Sequence, residues 1–301
     1  MRALRIDRFG GPEVVAVREI PAPEPGPDEV LVRVVAGSLN PVDVKTRNGT
    51  IRGGSPALPM TLGWDLAGVV VSPGGSGLSV GERVIAMSAQ LAAGRGTWAD
   101  LVALPARTLA VAPLNTSLVE AATLPLPGLT AAQTLDWLGV SSGQRLLVTG
   151  AAGAVGGLAV QLARARGITV DALVSRPAQL EVVTDLGARR AVTDVAELDR
   201  RHYDAVFDTC GAPVGETVSD GGRYATIASE HGDPPDLSHR GVTTTLHQVK
   251  EDGAGLAELV KLVETGDLRL RLDSSFPIAE VRKAYERLET RGLTGKVALV
   301  F

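Results

Sequence analysis

The sequence predicts an α/β chain in which a β-rich N-terminal part precedes a parallel, doubly wound sheet. Three observations carry this reading. Residues 145–167 run as strand, glycine loop and helix, the helix ending at Gly167. From about Ser117, short apolar strands alternate with helical patterns. The first 110 residues are instead rich in strands and turns. A chain of 301 residues holds one large domain or, by the usual domain size, two.

The elements follow in order. Residues 30–36 and 66–71 are strand-like runs set off by the clusters "PAPEPGP" and "SPGGSG", and 81–86 is another. Beyond 117, the candidate strands are 145–149, 169–174, 204–208, 223–228 and 242–249, with helical patterns in most gaps. The last stretch returns to helices at 256–264 and 278–289, and then to a strand at 296–301.

Composition narrows the class. Hydrophobic residues make up 45% and charged residues 21%, as in an ordinary globular protein. A formal net charge of −4 argues against nucleic acid or an anionic membrane as partner. The start, "MRALRIDR", has charges where a signal peptide would have an apolar core, and the apolar region 146–165 is broken by glycines. The single cysteine, Cys210, excludes an internal disulfide and suits a reducing cytoplasm, the expected location.

"VTGAAGAVG" (148–156) places Gly150, Gly153 and Gly156 in the pattern GxxGxxG, between a buried strand and a helix. That order presents free backbone N–H groups at a helix N-terminus to a phosphate. The glycines permit a tight turn, close approach to a pyrophosphate and close helix–strand packing. Glycines also end strands for purely structural reasons, so the context carries the reading. An NAD-preferring fold places an acidic residue about 20 positions past the loop. Here the strand 169–174 ends at Ser175-Arg176, a hydroxyl and a guanidinium that suit a 2′-phosphate, unless Arg176 merely begins the next helix. Asp171 comes too early on that strand. NADP is the expected cofactor.

Together with "GSLNPVDVKTRNG" (37–49), "LGWDLAGVV" (62–70), "VGERVIA" (80–86), "LPLPGLTAAQTL" (124–135), "DAVFDTCG" (204–211), "GGRYATIAS" (221–229) and "GKVALVF" (295–301), the chain resembles the medium-chain dehydrogenase/reductase superfamily over nearly its whole length. More narrowly, it is similar to the zinc-independent quinone oxidoreductase branch. The resemblance implies a Rossmann domain inserted into a GroES-like catalytic domain: 1–116 catalytic, 117–250 NADP-binding, 251–301 catalytic again. It also implies a nicotinamide held in the cleft between them. Asn40 and Asp43 match the family's polar pair beside the nicotinamide, and Thr130 lies on the helix facing it. Gly153, Ala154 and Val155 match the pyrophosphate loop; Cys210, Gly211, Ile227, Ala228 and Ser229 follow two of the sheet strands, and His247 lies on the next. The ordinary alternatives are that Asn40-Pro41 shapes a turn and that Asp43 caps the helix after it.

No metal is expected. Where a zinc-dependent relative supplies a His from Gly-His-Glu, this chain has Gly63-Trp64-Asp65. His202, His231, His239 and His247 have no Cys or carboxylate at zinc-ligand spacing. Without a Lewis acid, a plain ketone needs another electrophile, usually a tyrosine. Tyr203, Tyr224 and Tyr285 all lie outside the N-terminal half, and Lys45 and Ile51 stand where relatives carry tyrosines. Lys45 serves as the candidate acid if partial burial lowers its pKa; the alternative is an exposed lysine. A quinone or α,β-unsaturated carbonyl is less demanding, because conjugation spreads the charge, and Ile51, Trp64, Trp98 and Leu126 are candidates to line its pocket or to fill the core.

The expected activity is NADPH-dependent reduction of a quinone or enone. A zinc-free carbonyl reductase and a non-enzymatic NADPH-binding protein remain alternatives. The run 242–249, β-branched at Val242-Thr243-Thr244-Thr245, would lie at one edge of the parallel sheet. Relatives of this branch commonly dimerise there, so a homodimer through that edge is expected.

Overall fold

Strand β1 (Arg2–Ile6) begins the first of two compact units. The structure, a computed structural model, describes all residues except 52–56, 229, 231 and 291–292. One unit comprises Met1–Leu129, Lys250–Gly266 and Leu270–Phe301, and the other comprises Thr130–Val249 and Asp267–Arg269.

In the first unit, β2 (Ala16–Glu19), β3 (Glu29–Ser38) and α1 (Pro41–Asn48) precede β4 (Met60–Thr61), β5 (Asp65–Ser72) and β6 (Arg83–Met87). Then come α2 (Gln90–Ala93), β7 (Leu101–Pro105), β8 (Leu109–Val111), α3 (Leu118–Ala121) and α4 (Pro125–Leu138). Strand β3 alternates as a half-buried strand should, with Val30, Val32 and Val34 turned inward. Helix α1 starts with Asn40 as N-cap and Pro41 in its first turn, and stops at Gly49, whose φ of 72° is the left-handed conformation of a helix end.

The second unit holds β9 (Arg145–Thr149), α5 (Ala154–Ala165), β10 (Thr169–Leu173), α6 (Leu180–Asp185), β11 (Arg190–Val192), β12 (Tyr203–Asp208), β13 (Val218–Thr226) and β14 (Thr243–Leu246). The chain then returns to the first unit through α7 (Gly253–Thr265), β15 (Leu272–Pro277), α8 (Val281–Glu289) and β16 (Lys296–Val300).

Among the described residues the strands form three sheets, ordered β2-β1-β4, β15-β16-β3-β5-β6-β8 with β7 also on β3, and β11-β10-β9-β12-β13-β14. The last is parallel throughout, the doubly wound order of a Rossmann sheet. The β-rich unit is the GroES-like part, and no helix among the described residues is long and apolar enough to cross a membrane.

Four expectations need correction. The first unit boundary falls between Leu129 and Thr130, within α4, not after 116. Residues 267–269 also belong to the second unit: the Gln161 side chain accepts the Arg269 N–H at 2.8 Å, and the Arg269 guanidinium donates to the Asp185 carbonyl. Among the described residues the gaps after β11 hold 3₁₀ turns, at Val195–Glu197, Gly215–Thr217 and Ser238–Arg240, and no α-helix. Pro213 in the second of these crossovers and Pro234 and Pro235 in the third supply no amide donor and clash with a preceding helical turn, which disfavours a helix there. The crossovers' side chains still seal that face, with Val214, Leu237 and Val242 packing on Val206 and Tyr224. The edge strand covers Thr243–Leu246 only, half the expected run, and β11 was not anticipated.

Candidate active site

The glycine loop joins β9 to α5. Gly150 has φ of 56°, and a Cβ there would strike Thr209 Oγ1. The Gly153 N–H closes the turn onto the Gly150 carbonyl at 2.8 Å. At Gly156 a Cβ would meet Ala151 Cα at 2.8 Å, so only glycine lets α5 lie this close to the loop. Gly153 is the N-cap, and Ala154 and Val155 occupy the first helical turn, whose amides have no intrahelical acceptor. Free amides at a helix start of this kind favour an anion.

The other strand ends are tied to this loop by one buried carboxylate. Asp208, last residue of β12, accepts from Thr149 Oγ1 at 2.5 Å, Tyr224 OH at 3.0 Å and Thr226 Oγ1 at 3.1 Å. It also accepts the backbone N–H groups of Cys210 and Ala212. Five donors offset the cost of burying that charge. Burial, with the Asp208 charge adding to it, raises the Tyr224 hydroxyl well above the ordinary phenol value; burial raises the Cys210 thiol too. Ile227 N–H bonds the Asp208 carbonyl, Ala228 N–H bonds Thr226 Oγ1, and His247 N–H bonds the Thr226 carbonyl. Gly150, Gly153, Cys210, Gly211, Ile227, Ala228 and His247 therefore follow the carboxyl ends of adjacent parallel strands. His247 is one residue beyond β14, not on it. Thr130 is buried on α4, and Ser229 lies outside the described residues.

Beyond β10, the Ser175 N–H and Oγ each lie 3.2 Å from Gln179 Oε1. Arg176 caps the 3₁₀ turn Pro177–Gln179, and its guanidinium has no hydrogen bond or ion pair among the described residues. Asp171 is buried and fully engaged: Arg189 grips it in a bidentate pair, Nε to Oδ1 at 3.1 Å and Nη2 to Oδ2 at 2.8 Å, and Tyr203 OH donates at 3.0 Å.

The first unit contains a second constellation, which the sequence reading missed. Asp65, first residue of β5, has Oδ2 accepting from Ser38 Oγ at 2.6 Å and Asn40 Nδ2 at 2.7 Å, and Oδ1 accepting the Leu126 N–H at 2.7 Å. Lys296, first residue of β16, donates from Nζ to Asn40 Oδ1 at 2.6 Å and to the Leu39 carbonyl. Its ammonium is 3.9 Å from Asp65 Oδ2. Asp43 does not cap a turn after it: it is the third residue of α1 and accepts the backbone N–H of the N-cap Asn40 at 2.8 Å, and its other oxygen is buried with no partner among the described residues.

Burial dominates the titration of this cluster. It raises both carboxyls above their ordinary values and lowers the Lys296 ammonium, while the ammonium and the hydrogen bonds pull the carboxyls back. Of the two acids, Asp65 carries the charge: it accepts from three donors beside the ammonium, whereas Asp43 accepts from one. Asp43 is the protonated member.

Of the remaining candidates, Leu126 donates its N–H to Asp65 and Trp64 directly precedes Asp65 in the chain, whereas Trp98 lies in the core. Lys45 lies half-buried on α1. Trp98 has no exposed surface; it packs edge-on against Tyr285 with ring centres 6.1 Å apart, in a cluster with Leu62, Ile278 and Leu299. It is core, not pocket wall, because Gly37 and Gly63 let the backbone close over its ring. Trp64 and Leu126 are buried but for 8% and 9% of their surface, and Ile51 adjoins residues 52–56.

Two family models match the chain: the alcohol dehydrogenase GroES-like domain over residues 26–114 and the zinc-binding dehydrogenase over residues 180–299. The chain is 33% identical to the NADPH-dependent alkenal/one oxidoreductase of Arabidopsis thaliana chloroplasts, over 99% of this chain and 79% of that protein. It is 30% identical to a quinone oxidoreductase of Pseudomonas aeruginosa, over 99% of both. A solved structure described as an NAD-dependent alcohol dehydrogenase superposes with a TM-score of 0.88 at 33% identity, covering 100% of each chain. The residues here do not fit a zinc ion. Among the described residues no three His, Cys, Asp or Glu side chains gather to hold a metal, both ends of the Asn40 amide are engaged, and the Trp64 indole offers no lone pair.

Proposed function

The chain belongs to the medium-chain dehydrogenase/reductase superfamily, in its quinone oxidoreductase-like branch, and we propose that it reduces quinones or α,β-unsaturated carbonyls with NADPH and without a metal. It is an oxidoreductase that takes a nicotinamide cofactor. The Ala154 and Val155 amides hold the pyrophosphate, with Gly150, Gly153 and Gly156 leaving room for it. When bound, the reduced nicotinamide supplies a hydride.

The observation that carries the acceptor class is the donor set around Asn40 and Asp65. The polar atoms of Ser38, Asn40, Asp65 and Lys296 are engaged with one another or with backbone, and the one oxygen left over, on Asp43, is fully buried, so the cluster presents no electrophile to polarise a plain ketone. A conjugated acceptor spreads the developing negative charge over its own π-system. The names of the Arabidopsis and Pseudomonas relatives agree with such an acceptor. NADPH over NADH is supported by Arg176, unpaired beyond β10, and by Asp171, whose carboxylate is occupied by Arg189. The working form in this reading is a cytoplasmic homodimer paired through β14, whose outer edge has no strand beside it among the described residues.

Initial rates with NADPH and NADH on a benzoquinone, an alkenal and a cyclic enone, beside NADP⁺-dependent oxidation of simple alcohols, test the reading. Quinone or enone turnover with NADPH and negligible alcohol oxidation is expected. Alcohol oxidation as the fastest reaction would sink it.

A further inference from the structure

Gln179 is a surface residue that the reaction does not need, yet its carboxamide oxygen does something specific. It accepts from both the backbone N–H and the hydroxyl of Ser175, each at 3.2 Å. One oxygen held by an amide and a hydroxyl on the residue that follows the second Rossmann strand is the pattern that a phosphate oxygen would make. The adjacent Arg176 guanidinium meanwhile makes no hydrogen bond or ion pair among the described residues. Two donors are occupied by a neutral acceptor, and the cation beside them is free.

We propose that Gln179 is a specificity-determining residue: its carboxamide oxygen stands in for an oxygen of the cofactor's 2′-phosphate and must leave Ser175 for that phosphate to bind. The inference rests on the NADPH reading above. The 2′-phosphate is a dianion rich in acceptors, so it needs the two donors that Gln179 now takes. The exchange is feasible because both contacts are long for their type, and bonds to a phosphate are shorter and stronger. It also needs no backbone change. The Gln179 N–H stays on the Arg176 carbonyl at 3.0 Å, and its side-chain Nε2 makes no bond among the described residues, so only the carboxamide swings away. A cofactor with a plain 2′-hydroxyl has no such demand, since Gln179 can stay and accept from that hydroxyl. Gln179 thus moderates the preference that Arg176 creates.

The test is calorimetric binding of 2′,5′-ADP and 5′-AMP to the wild-type chain, to Gln179→Ala and to Gln179→Met, which keeps the stem but not the oxygen. The wild type should bind 2′,5′-ADP more tightly than 5′-AMP. Both variants should bind 2′,5′-ADP about three- to tenfold more tightly than the wild type, since two weak neutral hydrogen bonds no longer have to be displaced. Binding of 5′-AMP should weaken slightly, because its 2′-hydroxyl loses the Gln179 oxygen as an acceptor. Unchanged or weakened 2′,5′-ADP binding in either variant overturns the role of Gln179 and leaves the NADPH reading intact. A wild type that does not distinguish the two nucleotides removes the NADPH reading itself, and this inference with it.

Discussion

The Lys296 ammonium and the Asp65 carboxylate stand 3.9 Å apart with almost no access to solvent, although they come from the two ends of the chain. Sheet register brings them together. Strand β16 pairs antiparallel with β3, with Ala298 opposite Ser38, and β3 pairs antiparallel with β5, with Ala36 opposite Ala67. The starts of β16 and β5 therefore meet at the end of β3, where Asn40 bridges them.

Breaking this pair should be costly. Asp65→Asn leaves a buried ammonium without its counter-charge, and a loss of about 3–5 kcal/mol in urea unfolding is expected. Lys296→Met alone should also destabilise, whereas the double variant should recover part of the loss. Additive losses would show that the two charges do not interact.

The cluster also sets a pH dependence. Asp43 holds its proton in the folded chain because burial raises its carboxyl to about 8, against an ordinary carboxylate value of 3.8 in the unfolded chain. A raised folded value gives a contribution to stability that is fully present below the unfolded value and is lost as pH rises through the folded one. Wild-type stability should therefore carry a falling component between about pH 4 and pH 8. Asp43→Asn, an uncharged isostere of the protonated acid, should lack it and be well tolerated at neutral pH. Equal slopes in the two proteins would refute the assignment.

Arg176→Ala should raise the Michaelis constant for NADPH roughly 10- to 150-fold, the loss of a charge-assisted contact worth about 1.5–3 kcal/mol, and barely change that for NADH. Equal effects on both cofactors in steady-state kinetics would reject the phosphate contact.

The dimer has a directional test. The His247 N–H points inward to the Thr226 carbonyl, and amides alternate along a strand, so the Thr244 N–H points outward. Thr244→Pro removes an outward donor and spares the ladder to β13. Sedimentation should show a dimer for the wild type and a weakened one for the variant. A wild-type monomer at micromolar concentration contradicts the proposal.

What could be read from the sequence was what is local. The strand, glycines and helix around Gly150 lie within a short stretch, and the turn at Gly153 is made by its own residues, so the loop was legible. So were Asn40 and Asp43, one helical turn apart. Lys296 was not, because within "GKVALVF" a lysine reads as a solvated strand end and only the pairing of β16 with β3 buries it. Trp98 was offered as pocket or core, a choice that rests on Gly37 and Gly63 closing over its ring. The missing crossover helices did leave a signal in Pro213, Pro234 and Pro235, which the alternation of apolar runs outweighed.

Those crossovers bear on the order in which the parallel sheet assembles. The half built from β9, α5, β10 and α6 has helices that nucleate from neighbouring residues, so its strands are brought together by local contacts. The half built from β12, β13 and β14 is connected, among the described residues, by 3₁₀ turns and no α-helix that could act as a nucleus. Its strands gain stability only once β12 finds β9, the strand that the helical half has already set in place. Pulse-labelled hydrogen exchange during refolding should protect α5 and β10 before β13 and β14; simultaneous protection would mean that the sheet forms in one step. The phosphate loop would then exist before the strand ends that complete the nucleotide site, and the cofactor's pyrophosphate could find its seat on a half-folded chain.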